Sequence, residues 1–402
     1  MSAVWDQIGT LGRSAGGVAV ATLLFLALAA LTRSLMLPNP TTTTNPPNRA
    51  AAVMDDAPAK TDAATDAADS IDRPRTTTET LAEAETAAPG SIRSLFSWKR
   101  LSTSLAISVL LWLVTLTAIA TFQRRLVFPG QMVFRNVNLD VASTGWDTRR
   151  LRDVEFKTDD GLTLKGWLAL TEPTESELPA AAAGRPLAIY FGGNAGTRRM
   201  RLGSIDLLNE IGLNVLIVDY RSFAGNPGRP SEKAFLRDGI AMVKRFQSQW
   251  SLDDDQIVLV GESLGGAVAT AVAADRCDDG HPPAALILKA TFASMTETAG
   301  HHYPFLPVGL MLIDRFPTVD RIGRVTCPLL QFHGEKDIVV PPAHGRRLFD
   351  AAPAKSRTGV AKRLVSLPQS GHNDMQYVAA DDLERETAAF LRTIGVLPAG
   401  SE

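Results

Sequence analysis

A doubly wound, mostly parallel α/β sheet is the fold class predicted for residues 126–402 of this 402-residue chain, and three observations predict it. Apolar runs of strand length recur, nearly unbroken by polar residues, as strands covered on both faces require. Helical stretches alternate with those runs, the pattern of βα units. One run, QIVLV, passes directly into GESLGG, a strand-to-helix turn with glycine on both sides of a serine.

Taken in order, LRDVEFKT and LTLKGWLAL flank Asp159, Asp160 and Gly161 and read as a hairpin closed through a D-G turn. Strands follow at LAIYF (187–191), NVLIVD (214–219), QIVLV (256–260), AALILKA (284–290), PLLQFHG (328–334) and RLVSLP (363–368). Helices are expected over 197–211, 231–249, 265–275, 342–350 and 381–394, the second opening through Pro230, Ser231 and Glu232. In such sheets the ligand crevice lies beyond the carboxyl ends of the strands. The loops at those ends therefore carry the candidate chemistry.

Ahead of this domain stand two candidate transmembrane helices. The stretch AGGVAVATLLFLALAALT, about 15–32 within a first segment 1–36, carries no charge, nor does LSTSLAISVLLWLVTLTAIATFQ, about 101–123 within 93–125. Roughly 20 apolar residues suffice to cross the hydrocarbon core. Lys99 and Arg100 frame the second stretch on one side and Arg124 and Arg125 on the other, where headgroups would lie. For the first, a secretory signal cleaved near the small residues Ala27 and Ala29 is the rival reading, but its weakly basic start favours an uncleaved anchor. Residues 37–92 are rich in Pro, Thr, Ala and Asp and poor in large apolar side chains. They cannot bury enough surface to offset ordering and are expected to be a disordered linker. If both stretches span, the amino terminus and the catalytic domain share a side, which the flanking charges do not identify.

Composition removes several function classes. With 41 basic and 43 acidic residues and a net charge of −2, no global field favours nucleic acid. Cys277 and Cys327 lie outside any C-x-x-C spacing and read as buried free thiols. The sequence has no H-E-x-x-H, Walker A or G-x-G-x-x-G, so neither a metal nor a cofactor is expected. His301 and His302 are adjacent, and adjacent residues converge poorly on one ion.

Three strand-end loops supply a serine, an acid and a histidine in that chain order: Ser263 after QIVLV, Asp337 after PLLQFHG and His372 after RLVSLP. A serine hydroxyl is a weak nucleophile at neutral pH and needs a base within hydrogen-bond reach, which an imidazole can be. A carboxylate on the other ring nitrogen then orients the imidazole and stabilises its charge. An oxyanion needs preorganised donors: the backbone N–H of Leu264, next to the nucleophile, and a second from the stretch Gly193 to Asn194. Glu335 is the rival acid. Among the other histidines, His333 at a strand end reads as a packing residue, His281 falls in a loop, and His344 opens a helix and is expected at the surface. Asp219 and Arg221 read as a loop brace in preference to a substrate-binding pair.

Residues 291–325 are longer than an ordinary crossover and mix aromatic and aliphatic side chains with prolines. Two readings stay open: a short lid-like insertion whose Phe292, Tyr303, Phe305 and Met311 line an acyl pocket, or a helix packed against the sheet.

With FGGNAG (191–196), DYRSFAGNPGRPSE (219–232), GESLGG (261–266), HGEKDIVVPP (333–342) and SGHND (370–374), the chain resembles the α/β-hydrolase superfamily over about 126–397. It is most similar to the membrane-anchored, alpha/beta-hydrolase-domain-containing serine hydrolases. Two positions depart from that pattern: Gly192 stands where many members have histidine, and Ser222 where they often have glycine. The resemblance implies cofactor-free hydrolysis of esters, thioesters or amides. The expected function is a membrane-anchored serine hydrolase acting on small or lipid-like carboxylic esters or thioesters. The alternatives are a serine peptidase of the same fold and a non-catalytic membrane receptor or scaffold.

Overall fold

The structure, a computed structural model, describes residues 98–130, 138–177 and 184–399. The stretch 15–32 and the linker 37–92 lie outside the described residues. Helix α1 (Trp98–Val127) contains the second apolar stretch. Its 26-residue span Ser102–Val127 is mostly exposed, with Gln123 buried near the carboxyl end. At 1.5 Å per residue it measures ~39 Å, enough to cross a hydrocarbon core of about 30 Å. Among the described residues it is the one helix of that length and apolarity. The chain divides between Trp112 and Leu113, inside α1, and everything below concerns the second unit.

Eight strands form one sheet in the order β1-β2-β4-β3-β5-β6-β7-β8. The hairpin β1 (Leu151–Lys157) and β2 (Thr163–Ala169) pairs from Leu151 opposite Ala169 to Lys157 opposite Thr163, turning at Gly161, whose φ of +85° suits glycine. Strand β2 runs antiparallel to β4 (Asn214–Val218). Strands β4, β3 (Leu187–Phe191), β5 (Ile257–Glu262), β6 (Ala285–Lys289), β7 (Leu329–Gly334) and β8 (Arg363–Leu367) are parallel.

Alternation along each strand divides the core into two layers. Ile189, Leu216 and Leu259 face one side, Ala188, Val215 and Val258 the other. The first layer is closed by α3 (Glu232–Trp250), through Phe235, Val243 and Phe246, and by α4 (Leu264–Asp278). Helix α4 is almost wholly buried, and its run of Ala and Val lets it lie close to the sheet. Ser231 caps α3, its hydroxyl accepting from the Ala234 N–H at 3.2 Å. The second layer is closed by α2 (Leu202–Glu210) and α10 (Ala380–Thr393), through Ile205, Leu208, Leu383 and Phe390.

The segment expected to be lid or packed helix contains three short helices, α5 (Met295–His302), α6 (Val308–Met311) and α7 (Thr318–Ile322). Helix α8 (Pro342–Ala351) and the single turn α9 (Met375–Val378) complete the fold. His344, expected at the surface, is instead buried. Helix α5 packs over the start of α8 and places the Thr298 hydroxyl 3.4 Å from its Nδ1 and Glu297 3.8 Å from its Nε2. Of the two thiols, Cys327 is buried and Cys277 only half-buried; both are free.

Candidate active site

Strand β3 starts the pattern that locates the site. The chain leaves it for β4 on one side and returns to β5 on the other, so the loops after β3 and β5 diverge around a crevice. Ser263 occupies the turn from β5 to α4 with φ 54° and ψ −116°, a conformation that a side chain adopts only under strain. Surrounding contacts hold it there. Its N–H donates to the Lys289 carbonyl at 2.9 Å, and Gly265 lies so near β3 that a Cβ there would stand 2.0 Å from the Phe191 carbonyl oxygen. The flanking glycines are thus required by close approach.

His372 Nε2 lies 3.0 Å from the Ser263 hydroxyl, and His372 Nδ1 lies 2.7 Å from Asp337 Oδ2. A carboxylate only accepts, so Nδ1 carries the proton and the Nε2 lone pair faces the hydroxyl. The other Asp337 oxygen accepts from the N–H groups of Val339 at 2.9 Å and Val340 at 2.7 Å, which fixes the carboxylate plane. Asp337 is fully enclosed, while Ser263 and His372 keep a small exposed fraction facing the crevice. Glu335, the rival acid, turns away to Arg346 and the Ser366 hydroxyl.

Leu264 is the first residue of α4, so its N–H has no carbonyl one turn earlier to bond. The loop carrying Gly193 and Asn194 passes over the elbow: a Cβ on Gly193 would meet the Glu262 carboxylate at 3.2 Å. Asn194 Oδ1 is buried with no partner. The structure therefore brings together Ser263, Leu264, Gly193, His372 and Asp337. The aromatic candidates are dispersed. Phe292 lies in the core with 2% exposure, Tyr303 is half-buried, and Phe305 is exposed with its ring 6.3 Å from that of Tyr303. Met311 is half-buried, its carbonyl engaged by Gln123.

Several groups at the site had no sequence signal. Glu262, the variable residue of G-x-S-x-G, sits in a buried ionic cluster with Arg201 at 3.1 Å, Lys289 at 3.9 Å and the Tyr190 hydroxyl at 2.7 Å. Burial alone would raise its carboxyl, but the Arg201 and Lys289 charges and the Tyr190 hydrogen bond hold it at about 2. Burial likewise lowers the Lys289 ammonium from its ordinary range. Arg201 also donates to the Ala195 carbonyl at 3.1 Å, tying this cluster to the glycine loop. The Tyr220 hydroxyl donates to the Gly192 carbonyl at 3.0 Å, a brace for the position that departs from the family pattern. Behind the acid, His333 donates Nε2–H to the Val340 carbonyl at 2.9 Å, and burial lowers its pKa.

Asp219 and Arg221 each brace loops, but not with each other. Asp219 pairs with Arg198 at 2.5 Å, while Arg221 grips Asp238 with two bonds of 2.6 Å and also reaches Asp160.

Residues 207–395 match the prolyl oligopeptidase family. An uncharacterised protein of Mycobacterium tuberculosis is 37% identical over 247 residues, 61% of this chain and 81% of that one. Lysophosphatidylserine lipase ABHD12 of Danio rerio is 32% identical over 227 residues, 52% of this chain and 58% of that protein. An alpha-beta hydrolase from Vibrio vulnificus superposes with a TM-score of 0.54 at 14% identity, over 66% of this chain and 92% of that one. At that identity the likeness concerns the fold.

Proposed function

Because the chain belongs to the α/β-hydrolase superfamily, in its alpha/beta-hydrolase-domain-containing branch, and is a serine hydrolase of the esterase or lipase type, we propose a membrane-anchored enzyme for lipid-like or acylated esters and thioesters. The observation that carries this reading is the unbroken line from Ser263 Oγ through the His372 ring to Asp337, at 3.0 and 2.7 Å.

Ser263 Oγ attacks the ester carbonyl carbon as its proton passes to His372 Nε2. The carbonyl electron pair moves onto oxygen, which faces the Leu264 N–H and a donor of the Gly193–Asn194 stretch. Asp337 stabilises the imidazolium through Nδ1–H without taking the proton. Collapse of the intermediate expels the alcohol or thiol, which takes the proton from Nε2 and leaves an acyl-serine. Water then attacks with His372 as base, releases the acid and restores the serine. Helix α1 supplies the anchor.

The full chain in detergent should hydrolyse p-nitrophenyl butyrate and react with a fluorophosphonate probe, and Ser263→Ala should abolish both. Turnover retained by that variant would sink the assignment. A peptidase reading keeps support from the family matched over 207–395 and uses the same groups. Acyl esters profiled against aminoacyl amides distinguish the two.

A further inference from the structure

Outside α1, the large apolar side chains left exposed among the described residues share one location. Met200 follows β3; Phe305, Leu310 and Ile313 follow β6; Ile338 follows β7. Tyr377 and Val378 follow β8. Every one lies in a connection leaving the carboxyl end of a parallel strand, the end at which the chain also leaves β5 through Ser263. Leu310 is 87% exposed and Tyr377 78%. Single exposed apolar residues scattered over a surface need no explanation, but residues gathered on one rim mark an interaction surface.

Helix α1 indicates what covers that rim. Gln123 near its carboxyl end donates Nε2–H to the Met311 carbonyl at 3.0 Å, and its Oε1 accepts from the Ile313 N–H at 2.8 Å. Arg124 pairs with Asp314 at 2.7 Å, and the other Asp314 oxygen accepts from the Glu232 N–H at 2.9 Å. One turn on, Phe128 packs edge-on against Phe235 and Phe316, with ring centroids 5.2 and 6.3 Å apart. The end of the apolar helix and the segment bearing Leu310 and Ile313 are therefore one body. Phe122 and Leu126 are exposed on the same turns as Gln123.

The geometry points to the rim around Ser263 as a membrane-docking face: Leu310, Ile313 and their neighbours enter the headgroup layer where α1 leaves the bilayer, and the ester reaches the serine from that leaflet. This rests on the ester-hydrolase reading above and names the source of its substrate. Apolar side chains at an interface gain by leaving water, and Tyr377 suits the boundary because one end of its ring is polar.

Two measurements on the full chain in phosphatidylcholine proteoliposomes test it. With a phosphatidylcholine bearing a diazirine in its acyl chain, irradiation and peptide mapping should find adducts on the peptides containing Leu310 and Tyr377 as well as on α1. Adducts confined to α1 would overturn the proposal, as would protection of those peptides by a second copy of the chain in place of lipid. In the second arm, Leu310→Ser/Ile313→Ser should lose roughly tenfold or more in kcat/KM on 4-methylumbelliferyl oleate dissolved in the bilayer, while p-nitrophenyl acetate turnover in water stays unchanged. Equal turnover of both esters by parent and variant would also overturn it. A parent chain that cleaves neither ester would refute the hydrolase reading alone, and the lipid adducts would still decide the docking face.

Discussion

Tyr220 and Gly192 are joined by a hydrogen bond of 3.0 Å from phenol to carbonyl, so the residue just beyond β4 holds the first turn of the loop that leaves β3. Where family members often place a histidine in this loop, the brace here comes from the neighbouring strand. Tyr220→Phe keeps the ring stacked on Phe235 at 4.4 Å and removes only the hydroxyl. Its kcat on p-nitrophenyl butyrate should fall by roughly tenfold with KM within about twofold, the mark of a loss felt in the transition state. A change confined to KM would show that the loop needs no such support.

Asp337→Asn preserves the volume that accepts the Val339 and Val340 N–H groups but cannot hold the His372 ring in its working tautomer. Ester kcat should drop by about 10³- to 10⁴-fold with little change in the thermal midpoint. A variant of Glu335, which faces Arg346, should lose less than about twofold. Stopped-flow and steady-state assays on the purified chain read both.

Arg221 is a structural group, and its removal should act on stability. Arg221→Ala leaves Asp238 buried without its two 2.6 Å bonds, which should cost about 3–5 kcal/mol in urea unfolding. The activity of the protein still folded should be nearly that of the parent. A large rise in KM at unchanged stability would instead place Arg221 at the substrate.

Cys277 receives a hydrogen bond from the Cys327 thiol and another from the Thr326 N–H at 3.3 Å, which lower its pKa to about 6 against the opposing effect of burial. Cys327, as the donor and fully buried, keeps its proton. Iodoacetamide should therefore modify Cys277 and spare Cys327, with a rate that falls by half near pH 6 as the thiolate is protonated. A rate that keeps climbing toward the ordinary thiol range near 8.5 would contradict this pairing.

Gly265→Ala sets a Cβ 2.0 Å from the Phe191 carbonyl oxygen and has to displace the strand that carries the glycine loop. It should destabilise the chain by about 2–4 kcal/mol and cut activity in the same preparation. Gly203→Ala, in the first turn of α2 with open space at the added methyl, should be neutral or stabilising by up to about 1 kcal/mol. Equal effects of the two would remove close packing as the reason for the glycine.

Much of the sheet was legible because its signals are local. Strand-length apolar runs, the D-G turn and the serine between glycines coincide with β1 to β8 and the start of α4. The order of Ser263, Asp337 and His372 was visible for the same reason, since each follows a recognisable strand. What escaped depends on residues distant in the chain. Glu262 meets Arg201 across 61 positions, and nothing around GES announces a buried carboxylate. His344 is enclosed by Glu297 and Thr298 from a helix that the sequence left open. Gln123 read as the polar end of an apolar run, whereas its amide bonds the backbone on both sides of Leu312, some 190 residues later.

That amide, with Arg124 beside it, ties the carboxyl-terminal turns of α1 directly to residues 311–314. Under the anchoring proposed above, a hydrolase so joined to its helix would not reach a neighbouring vesicle and would work in cis, on esters that diffuse to it within its own bilayer. Its rate would then follow the two-dimensional density of ester around each anchor rather than the amount of ester in the tube.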